Sequence, residues 1–214
     1  MMVRATTGRK SFIEQARREQ IVDAAIDVLY ESGFAAASLG AIAERIGVSK
    51  GVLSYHFAGK SELLREVVGH VLAEAAEYMT PRVAAATSYM DALRIYVTSN
   101  LDFIGAHRRE IIAFTEIVNG MPPGGSDPPP YLEGHRSAVE DLTRLFEAGQ
   151  AAGEFGQFSA SVTAVSLRAS VDAISGLLRA DPAMQSGSDD VDQHLVRTGW
   201  YRARECQVNR RCVE

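Results

Sequence analysis

The chain reads as an all-α protein, on three grounds. Apolar residues recur at three- and four-residue intervals over long stretches, the period of an amphipathic helix. No stretch of any length alternates at period two. Short Pro, Gly and Ser clusters separate the periodic stretches, where they cap and stop helices. At 214 residues, 46% hydrophobic and 23% charged, the chain holds one large domain or two small ones sharing a core. The opening MMVRATTGRK is polar and no apolar run escapes interruption by charge, so neither a signal peptide nor a membrane span is expected, and the location expected is the cytoplasm. Cys206 and Cys212 lie in a polar tail and read as incidental free thiols.

Residues 1–10 read as an arm carrying Arg4, Arg9 and Lys10, either a solvated terminus or a reach into a minor groove. A first helix is expected to start at the capping box Ser11-Phe12-Ile13-Glu14. Its inward face is Ile13, Ile21, Ala24, Ala25, Val28 and Leu29, and it ends near Gly33-Phe34. Two short helices follow, about Leu39–Ile46 and Lys50–His56. Ser38 and Ser49 stand as N-caps, and Gly47-Val48 form the turn between the two helices. The first of the pair buries Ile42, Ala43 and Ile46. The second offers Ser49, Lys50, Gly51, Ser54, Tyr55 and His56 outward, where a core helix would carry leucines. A helix, a tight turn with glycine and a second short polar helix form the arrangement that seats a recognition helix in a major groove. Lys50 and Ser49 can then reach base edges, Gly51 permits close backbone approach, and Val52 either touches a thymine methyl or packs inward. Ser38 and Lys60 stand at helix starts, where free N–H groups favour phosphate.

The order of these residues resembles the DNA-binding domain of the tetracycline-repressor (TetR) family. The matching elements run from Ser11 to Leu64. They are Tyr30-Glu31-Ser32-Gly33-Phe34, Ser38 with Ile42-Ala43, Gly47-Val48-Ser49-Lys50-Gly51-Val52-Leu53, Ser54-Tyr55-His56-Phe57 and Lys60-Ser61-Glu62-Leu63-Leu64. The resemblance implies that Tyr55 and His56 contact backbone phosphates. It also implies a homodimer on a palindromic double-stranded operator, and a C-terminal helical domain that binds a small molecule and dimerises. In one departure, Ala35-Ala36-Ala37-Ser38 leaves a single hydroxyl where the family often has two threonines, so one phosphate contact is weaker or missing.

The expected division is 1–60 for the helix-turn-helix domain, 61–205 for the ligand and dimer domain and 206–214 for the tail. Later helices are expected over about 60–79, broken at Thr80-Pro81, and over 88–106, 108–118, 131–152, 160–179 and 189–205, with a Pro/Gly loop at 119–130. The last two long helices, rich in Ala, Ser and Gly, are expected to pair with their twins in a dimer. The groups expected to line an apolar effector pocket are Leu93, Tyr96, Val97, Phe103, Phe114, Ile117, Val139, Leu142, Phe146 and Val171, with Asn100 as a polar contact. Glu110 and Glu116 read as solvated carboxylates.

Charge supports the polarity of the chain. Residues 1–65 carry nine Lys/Arg against seven Asp/Glu, a balance of +2 within a total of −5, and all three lysines lie there. No phosphate-cradling glycine loop, GxSxG elbow, CxxC or paired metal-ligand spacing is present, so no enzyme, metal or cofactor is expected. The function these features predict is a homodimeric DNA-binding regulator, a repressor released by a largely apolar small molecule. The alternative is a regulator without such a ligand, controlled by a partner protein or by abundance.

Overall fold

The computed structural model describes residues 5–121 and 131–180, which form eight helices and, among those residues, no strand. They are α1 (Ala5–Ala36), α2 (Leu39–Arg45), α3 (Lys50–His56), α4 (Lys60–Ala84), α5 (Tyr89–Ala106), α6 (Arg108–Gly120), α7 (Tyr131–Ala151) and α8 (Ala160–Ala180). The helix expected over 189–205, the tail with Cys206 and Cys212, residues 1–4 and most of the 119–130 loop lie outside the described residues.

Three boundaries differ from the sequence pattern. Helix α1 starts at Ala5, so Ser11 is interior to it and the expected capping box does not mark its start; Ile13, expected inward, is exposed. Helix α4 runs through Pro81 to Ala84. Proline removes one N–H and crowds the preceding turn, but so near the helix end only the last turn is affected. There Arg82 donates to the Tyr78 carbonyl and lies over the Tyr78 ring at 3.6 Å. Helix α6 continues through Asn119 and Gly120, two residues expected in the loop.

The chain divides into two compact units, and the division is not the linear one expected near residue 60. The first unit holds residues up to Ala73 together with Arg109–Tyr131; the second holds Glu74–Arg108 and the residues from Leu132 onward. The first core is built on Ile21, Ala25, Ile26 and Leu29 of α1, Ile42 of α2, Leu53 of α3 and Phe57. Leu63, Val67 and Val68 of α4 join it, as do Ala113 and Ile117 of α6. Helix α6, expected in the effector domain, is therefore part of the core behind the helix-turn-helix. In the second unit Leu142 and Phe146 of α7 pack with Ala160 and Ala164 of α8, beside Leu93, Tyr96, Val139 and Leu167. The Phe146 ring meets Phe155 and Phe158 edge-on at 5.7 and 5.5 Å.

Helix α8 is long and apolar enough to cross a membrane by length and composition, contrary to the sequence expectation. Its two faces differ, however. Ala160, Ala164, Val171 and Leu178 are buried in the second unit, and Arg168 and Asp172 pair one turn apart on the same helix. Val162, Val165 and Leu177 are 64%, 51% and 51% exposed on the opposite side.

Candidate nucleic-acid interface

Helices α2 and α3 are set against each other by local chemistry. The Ser38 hydroxyl accepts the Ala41 N–H at 3.1 Å and caps α2. At the other end Gly47 has φ +66°, a backbone that a side chain rarely adopts. The Gly47 N–H bonds to the Glu44 carbonyl at 3.1 Å and the Val48 N–H to the Ala43 carbonyl at 3.0 Å, the two bonds of a Schellman turn. Val48 is thereby turned onto the core, and α3 begins two residues later. Ser49 precedes α3 without a side-chain capping bond, so its hydroxyl is available to another partner.

Helix α3 is one-sided. Leu53 is fully buried, whereas Lys50, Gly51 and Ser54 are exposed and Tyr55 is 74% exposed. Val52 and His56 are half-buried. The back of the helix end is clamped: Arg18 of α1 donates to the His56 carbonyl at 2.6 Å, lies over the Phe57 ring at 4.3 Å and pairs with Glu66 at 3.0 Å. Tyr55 stands edge-on to His56 at 5.0 Å, and its hydroxyl reaches Glu14 at 3.3 Å. The outward side chains of α3 thus project from a helix whose position is over-determined.

Lys60 is placed differently from the expected phosphate contact. Its ammonium donates to the Phe34 carbonyl at 2.9 Å and sits 4.1 Å above the Phe34 ring, and burial pushes it below the ordinary lysine range. Glu116, expected to be solvated, accepts the Phe34 N–H at 2.8 Å. Glu110 pairs with Arg109, which also reaches Asp23 at 2.6 Å and Asp27 at 2.7 Å on α1. Asp27 further pairs with Arg45 of α2 at 3.2 Å, and Arg45 holds Glu31 at 2.5 Å, which lowers the Glu31 carboxyl below its usual range. Sequence reasoning missed this network because its partners are far apart in the chain.

The eleven residues expected around an effector are divided between the two units. Ile117 is fully buried in the first unit, with Phe114 packed beside it, because α6 belongs there. Leu93, Tyr96, Val139, Leu142 and Phe146 gather in the core of the second unit. Val97 is buried on α5 and Val171 on α8, while Phe103 stacks on His107 at 4.0 Å and lies 5.8 Å from Tyr78. Asn100 is buried with its needs met inside the protein: its amide donates to the Tyr96 carbonyl at 2.8 Å and its oxygen accepts from Arg168 at 3.3 Å. Arg168 also reaches the Tyr96 hydroxyl at 3.2 Å and is paired with Asp172, whose other oxygen lies 3.2 Å from His135. Burial disfavours the Arg168 charge, but its bonds to Asp172 and Tyr96 outweigh that, and its pKa is raised. A depression of about 360 Å³ in the second unit is lined by Glu74, Glu77, Tyr78, Arg82 and His107, and by none of the eleven.

The sequence and the fold both have relatives. Residues 21–67, covering the end of α1 through the first turns of α4, match the model of the bacterial regulatory proteins of the tetR family. The HTH-type transcriptional regulator BetI of Burkholderia mallei (strain NCTC 10229) is 34% identical over 91 residues, 42% of this chain and 47% of that protein. The chain spans about half the length of the curated relatives it matches. Among solved structures, the fatty acid degradation regulator FadR from Bacillus halodurans superposes with a TM-score of 0.67 at 20% identity, covering 79% of this chain and 88% of that one. AibR, solved with isovaleryl coenzyme A and operator DNA, superposes with a TM-score of 0.71 at 18% identity, covering 84% and 96%. At such identities the superpositions establish the fold, and the match at residues 21–67 carries the descent. The helix-turn-helix built on α1 to α4 is thus that of the tetR family of bacterial regulatory proteins over residues 21–67, set in an all-helical frame that shares its fold with solved regulators.

Proposed function

We propose that the chain is a homodimeric, DNA-binding transcriptional regulator that reads a palindromic operator with α3. One observation carries this reading: the polar face of α3 stands free in solvent while its apolar face is locked into the first core. In this assignment Lys50 and Ser49 reach base edges, Gly51 lets the backbone approach, and Val52 meets a thymine methyl. Ser38, Ser54, Tyr55 and His56 hold backbone phosphates. Such a protein works on DNA in the cytoplasm. The exposed stripe of α8, with Val162, Val165, Ala169, Ala173 and Leu177 three or four residues apart, supports dimerisation through that face. Recognition helices about 34–36 Å apart, or somewhat more, would then enter successive major grooves.

Two measurements test this. In vitro selection from a randomised duplex pool is expected to return a two-fold symmetric site. Lys50→Ala is expected to change the base preferred at one position of each half-site, since a good base contact contributes about 1–3 kcal/mol of discrimination. Selection of no sequence, or a Lys50→Ala protein with unchanged preference, would count against the assignment.

Control by an effector, with repression relieved on binding, is the reading favoured by the family resemblance and by a neighbour solved with an acyl coenzyme A and operator. Arg168, beside Tyr96 and Asn100, is the cation of this interior, and it is paired with Asp172, so a ligand with an anionic or carbonyl group would have to displace that carboxylate to reach it. Hexanoate or hexanoyl coenzyme A at about one hundred times its Kd would stabilise the protein by about 2.7 kcal/mol, a rise of several degrees in Tm. Arg168→Leu is expected to abolish that rise. If neither compound changes Tm or operator binding, control by a partner protein or by abundance becomes the better account.

A further inference from the structure

Two separate segments of the first unit, α4 and α6, converge on one residue at the end of α1, Phe34. Its N–H is held by the Glu116 carboxylate of α6 at 2.8 Å. Its carbonyl is held by the Lys60 ammonium at the start of α4 at 2.9 Å, and the same ammonium lies 4.1 Å above its ring. On α6 the ring also lies against Gly120, where a Cβ would overlap it. Phe34 follows the break in α1 at Gly33, whose φ of 78° and ψ of 176° suit glycine almost alone. It precedes the tight turn in which the Ala37 N–H bonds to the Phe34 carbonyl at 3.3 Å and the Ser38 N–H to the Ala36 carbonyl at 2.8 Å. Ser38 then caps α2. The orientation in which α2, and with it α3, leaves α1 is thus set within four residues of Phe34.

Resting on the DNA-binding reading, we propose that Glu116 and Lys60 are positioning residues for operator binding, acting through Phe34 to fix the angle of the helix-turn-helix. Neither needs to touch DNA for this. The backbone of Phe34 is held by charged groups at both its N–H and its carbonyl, and charge-assisted hydrogen bonds are the stronger kind. Releasing either end frees the joint without removing a side chain from the outward face of α3.

The test uses the full-length protein and the duplex that the wild type selects from a randomised pool. Operator Kd is measured across a range of KCl concentrations for the wild type and for Glu116→Gln, Glu116→Asp, Glu116→Ala and Lys60→Ala. Hydrogen exchange of the peptide spanning residues 30–40 is followed in parallel. The amide oxygen of Glu116→Gln can still accept the Phe34 N–H, so its affinity is expected within about threefold of the wild type. Glu116→Asp keeps the charge but falls short of Phe34, and Glu116→Ala has no acceptor. Both are expected to lose about tenfold in affinity with faster exchange at 30–40. Lys60→Ala is expected to lose affinity with its salt slope unchanged, where loss of a phosphate contact would lower the slope by about one unit. Should Glu116→Ala fail to fold, Glu116→Asp reads the same quantity. Faster exchange at 30–40 with unchanged operator affinity would overturn the inference alone. A wild type that selects no duplex would overturn the DNA-binding reading, and this inference with it.

Discussion

Val165→Glu is expected to give a folded monomer whose operator affinity falls by about 10²–10⁴. Val165 is half exposed in the outward stripe of α8, between Val162 and Ala169, and faces away from the core residues Ala164 and Val171. In a two-fold pairing each residue of this stripe meets the same patch on its twin, so the substitution places two carboxylates in an apolar seam. A buried charge without a partner costs several kcal/mol, enough to dissolve an interface of ordinary strength. The protomer itself has little to lose, because the new side chain points into solvent. Operator binding then suffers because two half-sites are no longer engaged as one unit. Multi-angle light scattering gives the mass and anisotropy titration gives the Kd. A Val165→Glu protein that remains dimeric would remove α8 from the interface, while a monomer with wild-type affinity would remove the dimer from the mechanism.

The largest stability change is expected from Phe57→Ala. Phe57 is 1% exposed, closes the first core beside Leu53 and Leu63, and carries Arg18 over its ring at 4.3 Å. Truncating a buried phenylalanine costs about 3–5 kcal/mol, and the lost contact with Arg18 adds about 0.5–1 kcal/mol. Domains hold only about 5–15 kcal/mol in all, so the first unit would be left marginal. Arg18 also holds the His56 carbonyl, and its displacement would loosen the end of α3. Urea unfolding followed by circular dichroism is expected to show an early transition for this unit, with operator binding lost in step. A change below about 1 kcal/mol would mean that the cavity collapses and that Phe57 is not the keystone its burial implies.

Much of the DNA-binding unit was legible because its signals are local. Ser38 accepts an N–H three residues ahead, Gly47 supplies the one left-handed residue of its turn, and Leu53 is buried in a short helix whose Lys50, Ser54 and Tyr55 are exposed. The same holds for the start of α5, where Ser88 accepts the Asp91 N–H at 3.1 Å. Pro81 misled because its effect depends on how much helix follows it, and only one turn does. The effector set misled for another reason. Periodicity identifies Ile117 and Leu142 alike as inward, but not which core lies inward of each. Ile117 packs in the first unit and Leu142 in the second.

The helical class, most helix limits, the helix-turn-helix and the outward face of α3 follow from the amino-acid order alone, since each depends on residues within a turn or two of one another. It took the folded chain to reveal that α6 joins the first core, that Arg168 enters the second, and that Lys60 and Glu116 meet at Phe34. Glu116 and Phe34 are 82 residues apart, and their contact exists only once α6 has packed on α1. A carboxylate or ammonium carries no mark of its partner in the chain; its role is set by the desolvation and geometry that packing imposes.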